Sequence, residues 1–220
     1  MTERRDDILS RFVDLLERNE RAGAVAFALS LLDSGATTVP ELYETVLTPA
    51  LNRLSVPRDK EDSLIWREHM QSNIVRSVVE SCLPYVHRAR EALAGQGEKG
   101  LVLLACPQEE YHELGVRMGA DYFFMLGYRT VYVGTNTPKD TLINAVKETK
   151  PNIVVLSVTN YLNLAQIPAI VHELRAFPGA PKVYLGGSAL KHTGKTAKEF
   201  GVDGIVNSYA DVLSLKGGAL

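Results

Sequence analysis

Five short apolar runs in the second half of the chain constrain its fold more than any other feature. They fall at 101–105, 130–133, 153–157, 182–185 and 204–206, separated by stretches of helical spacing near 112–126, 139–149, 163–176 and 192–200. Apolar runs of this length suit strands buried on both faces. Strands that alternate with helices at this pitch form right-handed βαβ units, and hence a parallel sheet with helices on both sides.

The first half reads differently. Ile8, Leu9, Phe12, Val13, Leu15 and Leu16 recur with helical period, as do Ala22, Val25, Ala26, Ala28, Leu29 and Leu32, and the second series ends near Gly35. Thr38, with Glu41 three residues on, has the pattern of a capping box. The third helix it opens runs through Leu42, Tyr43, Val46 and Leu47, and Pro49 should bend or interrupt it. A fourth periodic stretch begins after Pro57, passes Ile65, His69, Ser72, Val75, Val79 and Cys82, and reaches about Leu93 with a kink expected at Pro84. Four helices with short connections make a bundle. The polar, glycine-rich residues 94–100 read as a linker. The expected fold class is α/β. An N-terminal four-helix bundle over residues 1–94 precedes a Rossmann-like (flavodoxin-like) parallel five-stranded sheet domain over 100–220.

Composition enters mainly by what it disfavours. The net charge of −2 offers no basic excess for direct nucleic-acid binding. Cys82 and Cys106 lie in different segments and read as buried, reduced thiols. The charged N-terminus is not leader-like, and no apolar run approaches the length of a membrane span, so a cytoplasmic protein is expected.

The stretch Glu110-Tyr111-His112-Glu113-Leu114-Gly115 lies between the first apolar run and a helical series at Leu114, Met118, Tyr122 and Met125. His112 therefore falls on a strand-to-helix turn at the carboxyl end of the first strand, where open α/β sheets bind ligands. A histidine with a carboxylate two residues before it fits a metal ligand whose second ring nitrogen is held by Glu110. Ser157-Val158-Thr159 closes the third apolar run and Gly186-Gly187 the fourth. The hydroxyls can face a ligand, and the glycines let backbone approach a flat one. Each piece also has a plainer reading, as a turn histidine, strand-end hydroxyls or a glycine turn. No Gly-x-Gly-x-x-Gly follows the first run, which disfavours a dinucleotide. No nucleophile–base pair stands out, so no turnover is expected of the chain alone.

The spacing decides between these readings. There are 41 residues between Gly115 and Ser157, and 26 between Thr159 and Gly186. The set resembles the cobalamin-binding signature Asp-x-His-x-x-Gly, Ser-x-Leu or Ser-x-Thr, Gly-Gly, and both gaps have the family's lengths. Glu110 stands where the signature has Asp, which keeps the carboxylate and adds one methylene. Together with the helices before it, the chain resembles the cobalamin module of methionine synthase, corrinoid methyl carriers and CarH-type photoreceptors over about residues 5–215. Within the bundle the likeness is to the photoreceptors, which carry Trp, nine residues, then Glu-His. Glu68-His69 matches that pair, while Arg58 stands at the Trp position.

The resemblance implies a cobalamin cofactor, as adenosylcobalamin or methylcobalamin. His112 would be the lower axial cobalt ligand, replacing the cofactor's own dimethylbenzimidazole, with Glu110 holding the imidazole. Gly115, Ser157, Thr159, Gly186 and Gly187 would line the site and its buried nucleotide tail. Glu68 and His69 would lie over the upper face, His69 as a candidate upper ligand. Trp66 is expected in the bundle core, and His87, His172 and His192 as incidental. The function implied is a sensor or regulator, light-responsive through adenosylcobalamin. Its output would pass through a partner protein or self-association, because the winged-helix DNA reader of the photoreceptors is missing before the bundle. Two alternatives stay open. A corrinoid methyl carrier of a methyltransferase system is disfavoured by a histidine over the upper face. A haem sensor of the same fold is disfavoured by the intact tail-binding set.

Overall fold

The protein, here a computed structural model, is described over residues 2–54, 61–93 and 97–215. It divides into two compact units, one ending at Ala89 and the other beginning at Arg90.

The first unit is helical. Helices α1 (Thr2–Glu17) and α2 (Arg21–Asp33) pack on each other, and α2 packs on α5 (Glu61–Ser81). The Thr38 hydroxyl accepts from the Glu41 amide at 3.4 Å, and the Glu41 carboxylate accepts from the Thr38 amide at 3.0 Å, so the capping box forms. Pro49 does not interrupt the helix that follows. Helix α3 (Val39–Leu42) passes through a π-helical turn, Tyr43–Leu47, into α4 (Thr48–Arg53), whose first turn holds Pro49. A proline ring clashes with the carbonyl four residues back and leaves it unpaired; the wider π turn relieves both problems. Pro84 behaves as expected: α5 stops at Ser81, and α6 (Leu83–Glu91) restarts with the proline in its first turn, where its missing N–H costs nothing. Phe12, Leu16, Ala28, Leu42, Tyr43, Leu47, Val75 and Val78 are buried and form the core of this unit.

The second unit is a five-stranded parallel sheet of order β2-β1-β3-β4-β5, with β1 Leu101–Pro107, β2 Arg129–Thr137, β3 Ile153–Ser157, β4 Lys182–Gly186 and β5 Gly204–Ile205. Between them run α7 (Leu114–Met125), α8 (Lys139–Thr149) and α9 (Ile167–Arg175), and α10 (Tyr209–Ser214) follows β5. Leu103, Ala105, Val154, Leu156, Val183 and Leu185 turn to one face and join α8 and α9 in a buried cluster. Val102 and Leu104, one residue out of phase, point the other way and are equally buried. The chain steps from β1 outward to β2, then back across β1 to β3. With right-handed crossovers this reversal puts α7 on the face opposite α8 and α9. There α7 packs on β1 and β2 and meets α10, with the Tyr122 and Tyr209 rings edge to face at 5.6 Å.

Two features depart from the sequence reading. The helix expected over 192–200 is instead two short 3-10 segments, Ala189–His192 and Ala197–Phe200, because Gly194 at φ +66° falls between them. Helix α10 had no expected counterpart, although Ser208 with Asp211 three residues on is a legible cap; the Ser208 hydroxyl accepts from the Asp211 amide at 3.1 Å. The reversal of strand order between β1 and β3 is where such folds bind ligands, and the loops leaving these two strands carry the site.

Candidate functional site: a carboxylate-held histidine at the switch point

Glu110 organises the site. Its amide donates to the Pro107 carbonyl at 3.0 Å, closing a turn directly after β1. Glu109 in that turn is left-handed, at φ +63°. The turn sends the Glu110 side chain into the fold, where it is completely buried, while Tyr111 and the His112 ring stay largely exposed. One carboxylate oxygen accepts from His112 Nδ1 at 2.5 Å and from the His112 amide at 3.2 Å. The other accepts from the amides of Thr159 and Asn160, each at 2.9 Å, and from Asn163 Nδ2 at 3.2 Å. One side chain thus ties the loop after β1 to the loop after β3.

Burial by itself would push the Glu110 carboxyl up. The bonds from His112, Asn160, Thr159 and Asn163 outweigh it and hold the group down at about 2. Glu110 is therefore ionised at neutral pH and can only accept, so the neutral His112 ring must carry its proton on Nδ1. The lone pair then sits on Nε2, the nitrogen a metal would take. A second layer supports the loop. The buried Cys106 thiol donates to the His112 carbonyl at 3.7 Å, and burial, with Glu110 and Glu113 nearby, pushes that thiol up to about 12. The Tyr132 hydroxyl donates to Glu113 at 2.8 Å, and burial together with that bond pushes the phenol up.

Several other residues singled out in the sequence meet at this end of the sheet. Ser157 is buried at the tip of β3, in register with Gly186 at the tip of β4. Thr159 contributes its amide to Glu110. Gly115, in the first turn of α7, has no positive φ, and a Cβ added there would meet nothing within 4 Å. Nothing in the protein calls for glycine at 115, where Ala would suit a helix better by about 1 kcal/mol. The glycine leaves this position, three residues along the chain from His112, without a side chain. The pair at 186–187 has a different reason. Gly187 lies at φ +89°, and a Cβ there would come within 2.2 Å of the Val158 carbonyl oxygen, so the fold itself demands glycine. At Gly186 the fit is less strict: a Cβ added there would lie 3.2 Å from the Val206 carbonyl oxygen. A bulky residue at 187 would disturb the fold as well as any ligand.

Glu68 and His69 lie on α5 in the helical unit. Glu68 accepts from the Ser72 hydroxyl at 2.6 Å, and His69 Nε2 lies 3.6 Å from its carboxylate. Trp66 corrects an expectation: it is 52% exposed rather than core, with the Arg67 guanidinium 5.4 Å from its ring centroid. Consecutive residues on a helix diverge by about 100°, and the buried stripe of α5 passes through Ile74, Val75, Val78 and Val79 instead. Arg58 lies outside the described residues. The sequence reading missed Asn160, Asn163 and Asn136. Asn163 is buried and gives its side-chain amide to the carboxylate, Asn160 gives its backbone amide, and Asn136 holds the neighbouring backbone, roles that leave no periodic signal; the cue was an asparagine pair three apart shortly after a strand.

Among the described residues no group of three or more His, Cys, Asp or Glu could hold a metal ion. What the site offers is one oriented imidazole. Such a donor would suit a metal whose other ligands come with a macrocycle, which makes a metal-centred cofactor the class of ligand that this fold and this histidine would fit.

The comparisons make this specific. The model of the B12 binding domain family matches residues 100–213, just over half of the 220 residues. The chain belongs to that family and is a cobalamin-binding protein. It is similar to the HTH-type transcriptional repressor CarH of Myxococcus xanthus, 29% identical over 164 residues, which are 73% of this chain and 52% of CarH. It thus spans about half the length of that relative. It is also similar to trimethylamine corrinoid protein 1 of Methanosarcina mazei, 23% identical over 215 residues, 96% of this chain and 95% of the other. The structure of the Methanosarcina barkeri monomethylamine corrinoid protein shares the fold, with a TM-score of 0.77 at 15% identity over 94% of this chain and 95% of that one. No helix among the described residues is long and apolar enough to cross a membrane.

Proposed function

We propose that the protein is a cobalamin-dependent regulator that holds its cofactor from below through His112, has no turnover of its own, and signals through a partner protein. The ligand assignment is carried by the Glu110–His112 pair, in which a buried, ionised carboxylate fixes the tautomer and aim of the ring. Ser157 and Thr159 at the end of β3 and the glycines at the end of β4 are the groups this reading assigns to the nucleotide tail. When bound, cobalamin supplies a cobalt whose upper substituent can be exchanged or, in adenosylcobalamin, released by light. The chain's part is to present Nε2, keep Nδ1 protonated and leave room at Gly115.

The likeness to CarH supports the regulatory role, as does Glu68-His69, where Ser72 holds the carboxylate beside the imidazole. A second reading, a corrinoid methyl carrier, is favoured by the end-to-end match with trimethylamine corrinoid protein 1. Absorption spectra of protein loaded with adenosylcobalamin, in the dark and after green light, separate the two. A lasting light-induced change in wild type that His69→Ala abolishes supports the regulator. Methyl transfer from methylcobalamin to a thiol that requires this protein supports the carrier. A visible spectrum unchanged by His112→Ala would remove the ligand assignment from both.

A further inference from the structure

We propose that Asn136, on the irregular end of β2, is a positioning residue that sets where His112 points; the inference rests on His112 being the cofactor ligand. The argument begins with the sheet register. Leu104 pairs with Tyr132, Ala105 with Gly134, and Pro107 with Thr137. One step along β1 is thus matched by two along β2, and the next two by three. Each mismatch is a bulge, a device that re-aims backbone at the rim of a sheet. The second bulge leaves Asn136 left-handed, at φ +47°. Asparagine tolerates that conformation better than most residues and carries a side-chain acceptor.

Both properties are used on the ligand loop. Asn136 Oδ1 accepts from the Glu109 amide at 2.8 Å, and the Asn136 amide donates to the Glu110 carbonyl at 2.9 Å. Glu109 is itself left-handed at φ +63°, a conformation unfavourable for an ordinary residue that persists only when its surroundings hold it. That conformation turns Glu110 inward and leaves His112 outward. On the other side of the loop Asn163 Nδ2 reaches the Glu109 carbonyl at 3.2 Å, and Gln166 Nε2 reaches the Gln108 carbonyl at 2.8 Å. The loop is gripped from both flanks, and Asn136 holds the backbone of Glu109 and Glu110 directly without touching the Glu110 carboxylate or the His112 ring. Its influence on the ring passes through Glu109 and Glu110.

Three substitutions separate its two contributions. Asn136→Ala removes both the acceptor and the tolerance of positive φ. Asn136→Gly keeps the backbone freedom and loses the acceptor. Asn136→Asp keeps both. Wild type, these variants and His112→Ala are titrated with hydroxocobalamin, following the visible spectrum and its pH dependence. The His112 Nδ1 proton is followed by NMR in cofactor-free protein, and circular dichroism reports folding. Affinity should fall about tenfold for Asn136→Ala, in the range seen when outer supports of a metal ligand are removed. The fall should be smaller for Asn136→Gly, and Asn136→Asp should stay within about twofold of wild type. The Nδ1 proton signal should broaden or shift in the Ala and Gly variants and keep its position in Asp. If Asn136→Ala does not fold, Asn136→Gly carries the test. Wild-type affinity and an unmoved Nδ1 proton in the Ala or Gly variant overturn the proposal, as does an Asp variant as weak as Ala. A wild-type spectrum identical to that of His112→Ala overturns the ligand assignment itself, and the inference with it.

Discussion

His112 pairs with the Glu110 carboxylate and His69 with that of Glu68, and the two pairs behave as different objects. Glu110 is fully buried, accepts five hydrogen-bond contacts from four residues and holds its histidine at Nδ1. The Glu68 side chain is 27% exposed and that of His69 68%, and the ring nitrogen nearest the carboxylate is 3.6 Å away. The residues are the same and the frames differ. On α5 neighbours along the chain diverge around the helix, so Glu68 turns to Ser72 one turn on and not squarely to His69. In the loop after β1 a left-handed residue folds the chain back, and positions 110 and 112 face each other. Burial then removes competing water and strengthens each bond. The first pair is set before any ligand arrives. The helical frame imposes no such order on the second.

The largest expected difference is in stability. Glu110→Ala would strip the acceptor at once from three backbone amides, those of His112, Thr159 and Asn160, from the Asn163 side chain and from the His112 ring. Removing one partner from a buried charged network costs about 4 kcal/mol. In a chain of this size that lowers the melting temperature by roughly 10 °C. Thermal melts of the cofactor-free protein check it. A loss below 1 kcal/mol would mean that water replaces the carboxylate and that the two pairs are alike after all.

Acid should reveal the same asymmetry. The Glu110 carboxyl, ordinarily near 4.5, is held at about 2 in the fold. As pH falls, the unfolded chain takes up this proton around 4.5, whereas the folded chain resists until about 2. The stabilisation is therefore full above the unfolded value and is lost as pH drops through that interval, on the order of 3 kcal/mol in total. Glu110→Gln cannot titrate there. In urea unfolding at successive pH values, the gap between wild type and Glu110→Gln should narrow from pH 5 towards pH 3. A gap that stays constant would locate the stabilisation in packing and not in the charge.

The length of the Glu110 side chain gives a sharper, smaller test. The longer arm lets one carboxylate reach His112 and the amides after β3 together. Glu110→Asp withdraws it by one methylene, more than a 2.9 Å bond can absorb. One set of partners should be lost, costing about 2 kcal/mol, read as a melting shift of roughly 5 °C. Amide exchange at Thr159 and Asn160 would show which set let go. An Asp variant as stable as wild type would mean that the loops close up around the shorter arm.

Much of this was legible before the structure, and the reasons are physical. Strands β1 and β3 announce themselves because they are buried along their whole length and must be apolar throughout. His112 and Glu110 could be placed because a strand end followed by helical spacing fixes where a turn lies. What stayed hidden depends on contacts distant in sequence. Asn163 reaches Glu110 across 53 residues, and Glu109 meets Asn136 across 27. The bulges that bring Asn136 into place arise from pairing with β1, which no local pattern encodes. Gly187 was visible as a turn residue, but the backbone it must clear, at Val158, belongs to another loop. The π turn before Pro49 was hidden because proline predicts trouble in a helix without saying how the helix absorbs it.

The smallest expected effect completes the comparison from its weaker side. Glu68 and Ser72 are one helical turn apart on α5, joined by a 2.6 Å bond at a partly exposed position. A bond of this kind competes with water at both ends, and holding two side chains in one geometry costs rotamer freedom. Glu68→Ala and Ser72→Ala should each change stability by no more than about 0.5 kcal/mol, the range of ordinary surface substitutions. Alanine even gains slightly in helix propensity over serine. The measurement is urea unfolding of the cofactor-free protein, beside Glu110→Ala under the same conditions. A cost above about 1 kcal/mol at either position would show that the pair is already held in the free protein. Near-neutral results in the free protein, together with weaker cobalamin binding in Glu68→Ala, would mean that His69 acquires its order only when the cofactor is present. That is the behaviour a responsive element requires, since a group can report a ligand only if its free energy differs between the bound and free states.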